Sequence, residues 1–164
     1  VEGLFIRVSV SGLFSIEEAT AHIQSLVEKQ LLTEEEGKAI DASKIVAFYA
    51  TDIGRRLLQA THVLKEVPFT LSIKTNGDDA QIIQGVIDCM FEEADGEWVL
   101  LDYKTDKILS HFAEGQALYK EMANRYETQL NYYTQAIESI KRVKVKEKVL
   151  YLYDIGQSLS MDVQ

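Results

Sequence analysis

"GVIDCMFEEADGEWVLLDYKTD", running from Gly85 to Asp106, contains two apolar runs around one short polar break. The runs are bounded by turn residues and read as two strands of a hairpin. Ala94, Asp95 and Gly96 separate them. A three-residue loop ending in Gly predicts a type I turn closed by a left-handed residue and a bulge. That loop pairs Glu93 with Glu97, and counting back from there sets Asp88 opposite Asp102. Lys104 lies two residues beyond Asp102, on the same face. The same count puts Val86, Met90, Trp98 and Leu100 on that face, and Ile87, Cys89, Phe91, Val99, Leu101 and Tyr103 on the other. Both faces are mostly apolar, so the hairpin is expected at the centre of a sheet covered on both sides. A two-residue Asp–Gly turn would shift the register by one and separate the aspartates.

Two facing carboxylates in such a setting repel, and the repulsion raises one pKa. Something must compensate. One answer is a structural salt bridge from Lys104 to one of them. The other is a divalent cation such as Mg²⁺, which takes one or two carboxylates plus waters and substrate phosphates. In that case Lys104 is no ligand and would touch an attacking water or a phosphate. Without the cation, Lys104 should turn toward one aspartate, or one aspartate should take up a proton.

Upstream of the hairpin the pattern is helical. Ser15 with Glu18, and Thr33 with Glu36, have capping-box spacing. Ile16, Ala19, Ile23, Leu26, Val27 and Leu31 recur at helical spacing. "DASKIVAFYATDIGRRLLQA" (residues 41–60) reads as one broken helix or two short ones, with the break near Thr51–Gly54. "THVLKEVPFTLSI" (61–73) then alternates as a strand. Pro68 confines it to an edge or a bulge, and Asn76–Asp79 is a turn. After the hairpin comes a long helix over 114–140, with Leu118, Met122, Tyr126, Leu130, Tyr133, Ile137 and Ile140 on its inner stripe. "KEKVLYLYDIG" (146–156) is a last strand. The expected fold is one α/β domain: a helical segment over 1–61 and a sheet-containing core over 62–164.

The 164 residues carry a formal net charge of −9, opposite in sign to most nucleic-acid binders. Contact with DNA would therefore need a local basic patch, metal ions or a partner. The densest basic stretch, Lys141–Lys148, could track a phosphate backbone or form a solvated helix end and strand edge. One cysteine, Cys89, excludes an internal disulfide and suits a reducing cytoplasm; it reads as a small core residue. No apolar run reaches the roughly 18 residues of a membrane helix, and no membrane partner is expected. The first residue is Val1, so the chain is expected to be a piece of something longer.

An Asp followed fourteen residues later by Asp-X-Lys on an adjacent strand resembles the signature of the PD-(D/E)XK nucleases. "GVID", "LDYKTD" and "YETQLNYY" resemble the Gly-X-X-Asp, Asp-Tyr-Lys and Gln-hydrophobic-X-X-Tyr elements of the RecB-like branch. "EVPF" resembles the upstream strand of that branch, with Glu66 in its usual place. With "LLTEEEGKAID" and "DIGRRLL" added, residues 17–164 are similar to the C-terminal nuclease domain of the AddA (RexA) helicase–nuclease family. The resemblance implies a restriction-endonuclease-like core, a central mixed sheet flanked by helices. It implies a Mg²⁺-dependent DNA nuclease, an exonuclease acting in double-strand break repair and recombination. Asp88, Asp102 and the Tyr103 backbone carbonyl would hold the metal. Lys104, Gln129, Tyr133 and Glu66 would complete the catalytic set. Implied partners are DNA, as duplex ends and single strands, the AddB protein, and helicase domains of the same chain, where ATP would bind.

One departure stands out. The family's metal-binding His lies in a Gly-Thr-X-X-His-like setting, and His22, His62 and His111 all lack that context. The segment that should carry it is expected upstream of Val1, which would leave this stretch a weak Mg²⁺ binder. Two alternatives follow: a non-catalytic DNA-guiding or protein-interaction domain that keeps the nuclease fold, and an unrelated acidic scaffold whose hairpin charges merely pair.

Overall fold

Four short helices open the described part of the chain, each starting where a side chain can take the first free backbone N–H groups. The computed structural model describes residues 15–74, 80–108 and 115–161. Helix α1 (Ile16–Glu28) and helix α2 (Glu34–Ala39) both begin with complete capping boxes, Ser15 with Glu18 and Thr33 with Glu36. Helix α3 (Ala42–Ala50) and helix α4 (Asp52–Leu58) meet at Thr51, which ends one and caps the other through a hydrogen bond from Gly54 N to its Oγ1. The break therefore falls where the sequence places it, as two helices. Gly54 is required there, because a Cβ would drive into the Phe48 carbonyl and the Tyr49 backbone.

The sheet follows. Strand β1 (His62–Lys74) pairs antiparallel with β2 (Ala80–Glu92), and β2 with β3 (Trp98–Lys104). Helix α5 (Gly115–Lys141) then crosses over to β4 (Val145–Leu152), parallel to β3, and β5 (Gln157–Ser160) adds an antiparallel edge. The order is β1-β2-β3-β4-β5, a five-stranded mixed sheet with every residue of β3 buried. This is the α/β class expected, with the hairpin at its centre. Pro68 lies on edge strand β1, where its missing donor costs no ladder bond to a third strand. Strand β5 is an addition to the expected elements; four residues with mostly exposed side chains offer little apolar signal. The Asn76–Asp79 turn and His111 lie outside the described residues.

Helices α1, α3 and α4 cover one face of the sheet, burying Phe48, Ile45, Ile53, Phe91, Leu101, Tyr103 and Tyr151. Helix α5 covers the other, over Phe69, Ile87, Met90, Leu100, Leu150 and Leu152. Phe48 sits edge-on to Tyr49, Tyr103 and Tyr151, at 5.1, 5.6 and 4.8 Å between centroids. Three apolar positions of the expected helical stripes are exposed instead: Ile16 and Ile140 at helix ends, and Leu31 beyond one.

The hairpin register is the one counted from its loop. Pairs run Cys89↔Leu101, Met90↔Leu100, Phe91↔Val99 and Glu92↔Trp98. Glu93 N donates to Glu97 O at 3.0 Å, and Gly96 takes a φ of 81°, the left-handed residue that closes the turn.

The face assignment needs one correction. Strict alternation would group Val86 with Met90 and Ile87 with Cys89. Instead Ile87 and Met90, three apart, both lie under α5, while Val86 is half exposed. Leu64 and Val67 on β1 show the same three-residue step. The cause lies in β1, where Glu66 adopts φ 50°. A left-handed residue inside a strand breaks the pleat. Ladder partners run to Lys65↔Cys89 and resume at Val67↔Ile87, flanking Glu66 and Asp88. Both strands thus change face at one point, and Asp88 sits at it.

Candidate active site

Asp88 lies where β2 leaves β3. The last ladder pair is Cys89↔Leu101, and just past it Asp88 Oδ2 accepts the backbone N–H of Tyr103 at 3.0 Å. A side chain here does what the next ladder carbonyl would have done. In an extended strand a residue's N–H and C=O point to the same edge. The Tyr103 carbonyl therefore faces the same side as Asp88, while the next carbonyl, that of Lys104, faces β4 and accepts from Tyr153 N at 2.9 Å.

Asp102 and Lys104 project to the α5 side from the buried central strand. They are 1% and 7% exposed, the buried charged residues among those described. Lys104 Nζ lies 2.7 Å from Asp102 Oδ2, an ion pair at close range rather than an aligned hydrogen bond. The salt bridge that the hairpin chemistry admits is thus present. Replacing such a buried pair by apolar residues is often neutral or stabilising, by about 1–4 kcal/mol. Stability alone does not account for its presence in the middle of a sheet.

Helix α5 supplies the rest. Lys104 Nζ donates to Gln129 Oε1 at 3.1 Å, and Gln129 Nε2 donates to Tyr133 Oη at 2.7 Å. Gln129 and Tyr133 are four apart on one helix face, so a single turn of helix carries the relay. Tyr133 is fixed by its ring, edge-on to Phe69 at 5.4 Å. Phe69 in turn lies over Gly85, where a Cβ would come within 2.8 Å of the ring. Gly85 is therefore a packing requirement, three residues before Asp88. A cleft of about 450 Å³ opens beside Gln129 and Tyr133, walled by Phe69, Ile83, Tyr126 and Tyr132.

The structure thus brings Asp102, Lys104, Gln129 and Tyr133 into one connected line, with Asp88 tied to the strand between them. Glu66 is exposed on the edge strand, opposite Asp88 in register. Tyr126, read from the sequence as a core aromatic, packs half-buried against the core under α5 and also places its ring 4.6 Å from Lys104 Nζ. Spacing alone could not separate these roles, since Tyr126 also lies on the buried stripe. His22 is half-buried on α1, on the opposite side of the sheet, its pKa lowered by burial and then by Lys29 and Lys65. His62 is exposed and meets Glu92 at 2.6 Å. Among the described residues no group of three or more His, Cys, Asp or Glu side chains could hold a metal.

Two carboxylates and a carbonyl still fit Mg²⁺ chemically. All are hard oxygen donors, and this ion completes its octahedron with waters and substrate phosphates. Of the five basic residues in 141–148, Lys141, Arg142 and Lys144 are exposed, and the other two are engaged within the domain. Lys146 pairs with Glu93 and Asp95 at 2.6 and 2.7 Å, and Lys148 donates to Asn131 at 3.1 Å. No described helix is long and apolar enough to cross a membrane.

No family model matches the chain. Curated relatives do. It is 52% identical over 148 residues to the A subunit of the ATP-dependent helicase/nuclease of Lysinibacillus sphaericus, covering 90% of this chain and 12% of that protein. The proteins of the same name from Bacillus velezensis and Pelotomaculum thermopropionicum are 43% and 40% identical, over 94% and 95% of this chain and 13% and 12% of theirs. The chain spans about an eighth of the length of these relatives. Along nine-tenths of its own length, then, it is homologous to one segment of the A subunits of ATP-dependent helicase/nucleases.

Proposed function

We propose that this chain is the nuclease module of an ATP-dependent helicase/nuclease, a Mg²⁺-dependent hydrolase of DNA phosphodiesters acting in recombinational break repair. The observation that supports it is the line Asp102–Lys104–Gln129–Tyr133, set beside Asp88 where the hairpin ladder ends. Asp88, Asp102 and the Tyr103 carbonyl are the groups that would hold Mg²⁺. When bound, the ion would neutralise phosphate charge and lower the pKa of a water.

The chain's own residues do the positioning. Asp102 is rigid because its strand is central and wholly buried. Asp88 is held by the Tyr103 N–H, so both carboxylates keep their places without a ligand between them. Lys104 carries a positive charge into a site of low water content, where it favours a phosphate oxygen or an incoming hydroxide. Gln129 orients the ammonium, and Tyr133 orients Gln129. Glu66, on the exposed edge, would act at the rim of the site. The proposed partners are DNA, an AddB-type protein, and the helicase part of the full-length protein, which would carry the ATP site.

The test is Asp102→Ala in the full-length protein. DNA cleavage should be abolished while ATP-driven unwinding continues. Cleavage at the wild-type rate in that variant would refute the reading.

A further inference from the structure

Lys104 has a third neighbour besides Asp102 and Gln129. Its ammonium lies 4.6 Å from the centre of the Tyr126 ring. A cation over an aromatic face is attracted by the ring quadrupole, most strongly where water is excluded. Lys104 is nearly fully buried, so the contact belongs to the stronger kind.

Tyr126 is itself held. Its Oη donates to Asp106 Oδ2 at 2.5 Å, and Asp106 also faces Arg125, with Nη1 at 3.6 Å from Oδ1. Arg125 is braced by Glu121 one turn earlier on α5. Asp106 lies two residues beyond Lys104, so the brace returns to the segment that carries the lysine. Burial, and then the Asp106 hydrogen bond, hold the Tyr126 phenol well above its usual pKa. The ring stays a neutral, electron-rich face.

The two other anchors of Lys104 are not equivalent. Asp102 is also a carboxylate that would help hold a cation, and shared between the two its attraction for the lysine would weaken. Gln129 Oε1 and the Tyr126 ring do not compete for the cation. They are the anchors that remain.

We infer that Tyr126, braced by Asp106, is a positioning residue that sets where the Lys104 ammonium stands once Asp102 is engaged by a cation. It touches no reacting atom and acts through Lys104. The inference rests on the nuclease reading above and adds a residue that reading does not use.

The experiment compares Tyr126→Leu and Tyr126→Phe in the full-length protein, measuring steady-state cleavage of a DNA substrate at saturating Mg²⁺. Tyr126→Leu removes the aromatic face and keeps bulk. Tyr126→Phe keeps the face and loses only the brace. The expected result is a fall in kcat of about 10- to 30-fold for Tyr126→Leu. KM for DNA should stay within about twofold, because ground-state binding does not use this contact. Tyr126→Phe should recover most of the loss. Tyr126→Met serves as a second ring-free variant of similar size, and limited proteolysis of each full-length protein with and without Mg²⁺, with the cuts mapped to residues 62–161, reports whether this module is folded.

Equal losses in Tyr126→Leu and Tyr126→Phe, a loss carried by KM, or no loss in a folded ring-free variant would each overturn the inference. Asp102→Ala run alongside separates the two levels. If it is inactive while Tyr126→Leu cleaves normally, only the positioning role falls. If it too cleaves normally, the nuclease reading falls first.

Discussion

Asp88 Oδ2 accepts the Tyr103 N–H at 3.0 Å, just beyond the last ladder pair of the hairpin they share. A carboxylate has taken the place of a main-chain carbonyl at the point where two strands part. Opposite Asp88 on the other flank, Glu66 takes a left-handed φ of 50°. Such a conformation costs a non-glycine residue on the order of 1–3 kcal/mol and persists only where its surroundings enforce it. Here the departure from regular pairing frees the edge of β3 beside Asp102 from full coverage by β2. The same irregularity turns Ile87 inward under α5.

Lys104→Met should destabilise the fold by about 3–5 kcal/mol in EDTA, because it leaves the Asp102 charge buried without its ion partner. Added Mg²⁺ should restore part of the loss, the cation now supplying the compensation. Urea unfolding of this chain in both buffers measures it. An unchanged midpoint in EDTA would mean that Lys104 does not compensate Asp102.

Gly85→Ala should cost about 1–3 kcal/mol, since the new methyl meets the Phe69 ring and overpacking must be relieved by shifting it. Phe69 carries Tyr133 with it, so cleavage in the full-length protein should fall as well. Thermal melting and a nuclease assay read the two effects separately.

At the hairpin turn, Arg56 of α4 bridges Glu93 and Glu147 at 2.7 and 2.6 Å, with side chains 25%, 19% and 21% exposed. Arg56, with help from Lys146, holds the Glu93 carboxyl below its usual pKa. A depressed carboxylate adds stability above the pH where the unfolded chain's glutamates titrate, about 4.3. That stability is lost as pH falls through the folded value. Arg56→Leu should therefore cost about 1.5–3 kcal/mol near neutrality, and the gap to wild type should close below about pH 4. Denaturation midpoints across pH 3–7 check the sign; a gap that widens in acid would contradict it.

Cys89 is fully buried, and burial pushes its thiol up to about 12, with Asp88 adding to the shift and Lys65 opposing it. A thiol-specific reagent at pH 8 should leave it unmodified in the folded chain and label it fully in urea. Rapid labelling of the folded chain would show that the sheet opens around β2.

Much of this arrangement is legible before folding because it is local. Capping boxes at Ser15 and Thr33 are closed by residues three positions away, and both are present. The loop Ala94–Gly96 sets the hairpin register: closed as three residues by a left-handed Gly96, it gives the pairing that a two-residue turn would have shifted by one. Asp102 and Lys104, two apart in one strand, share a face by alternation alone, and they meet at 2.7 Å. The break at Thr51 is equally local.

What only the tertiary structure decides is long-range. Nothing in residues 85–88 announces that Ile87 turns in and Val86 out; the cause is Glu66, twenty-two positions before Asp88 in the chain and beside it only once β1 and β2 pair. Ile140 lies on the same stripe as Leu130 and Ile137, yet at the end of α5 it is 58% exposed beside the edge strand. Tyr126 has the spacing of a core residue and becomes a neighbour of Lys104 because α5 crosses the sheet at that angle and height. Periodicity records which side chains leave water. Which charge meets which ring depends on the packing of one layer on another, and no local pattern encodes that.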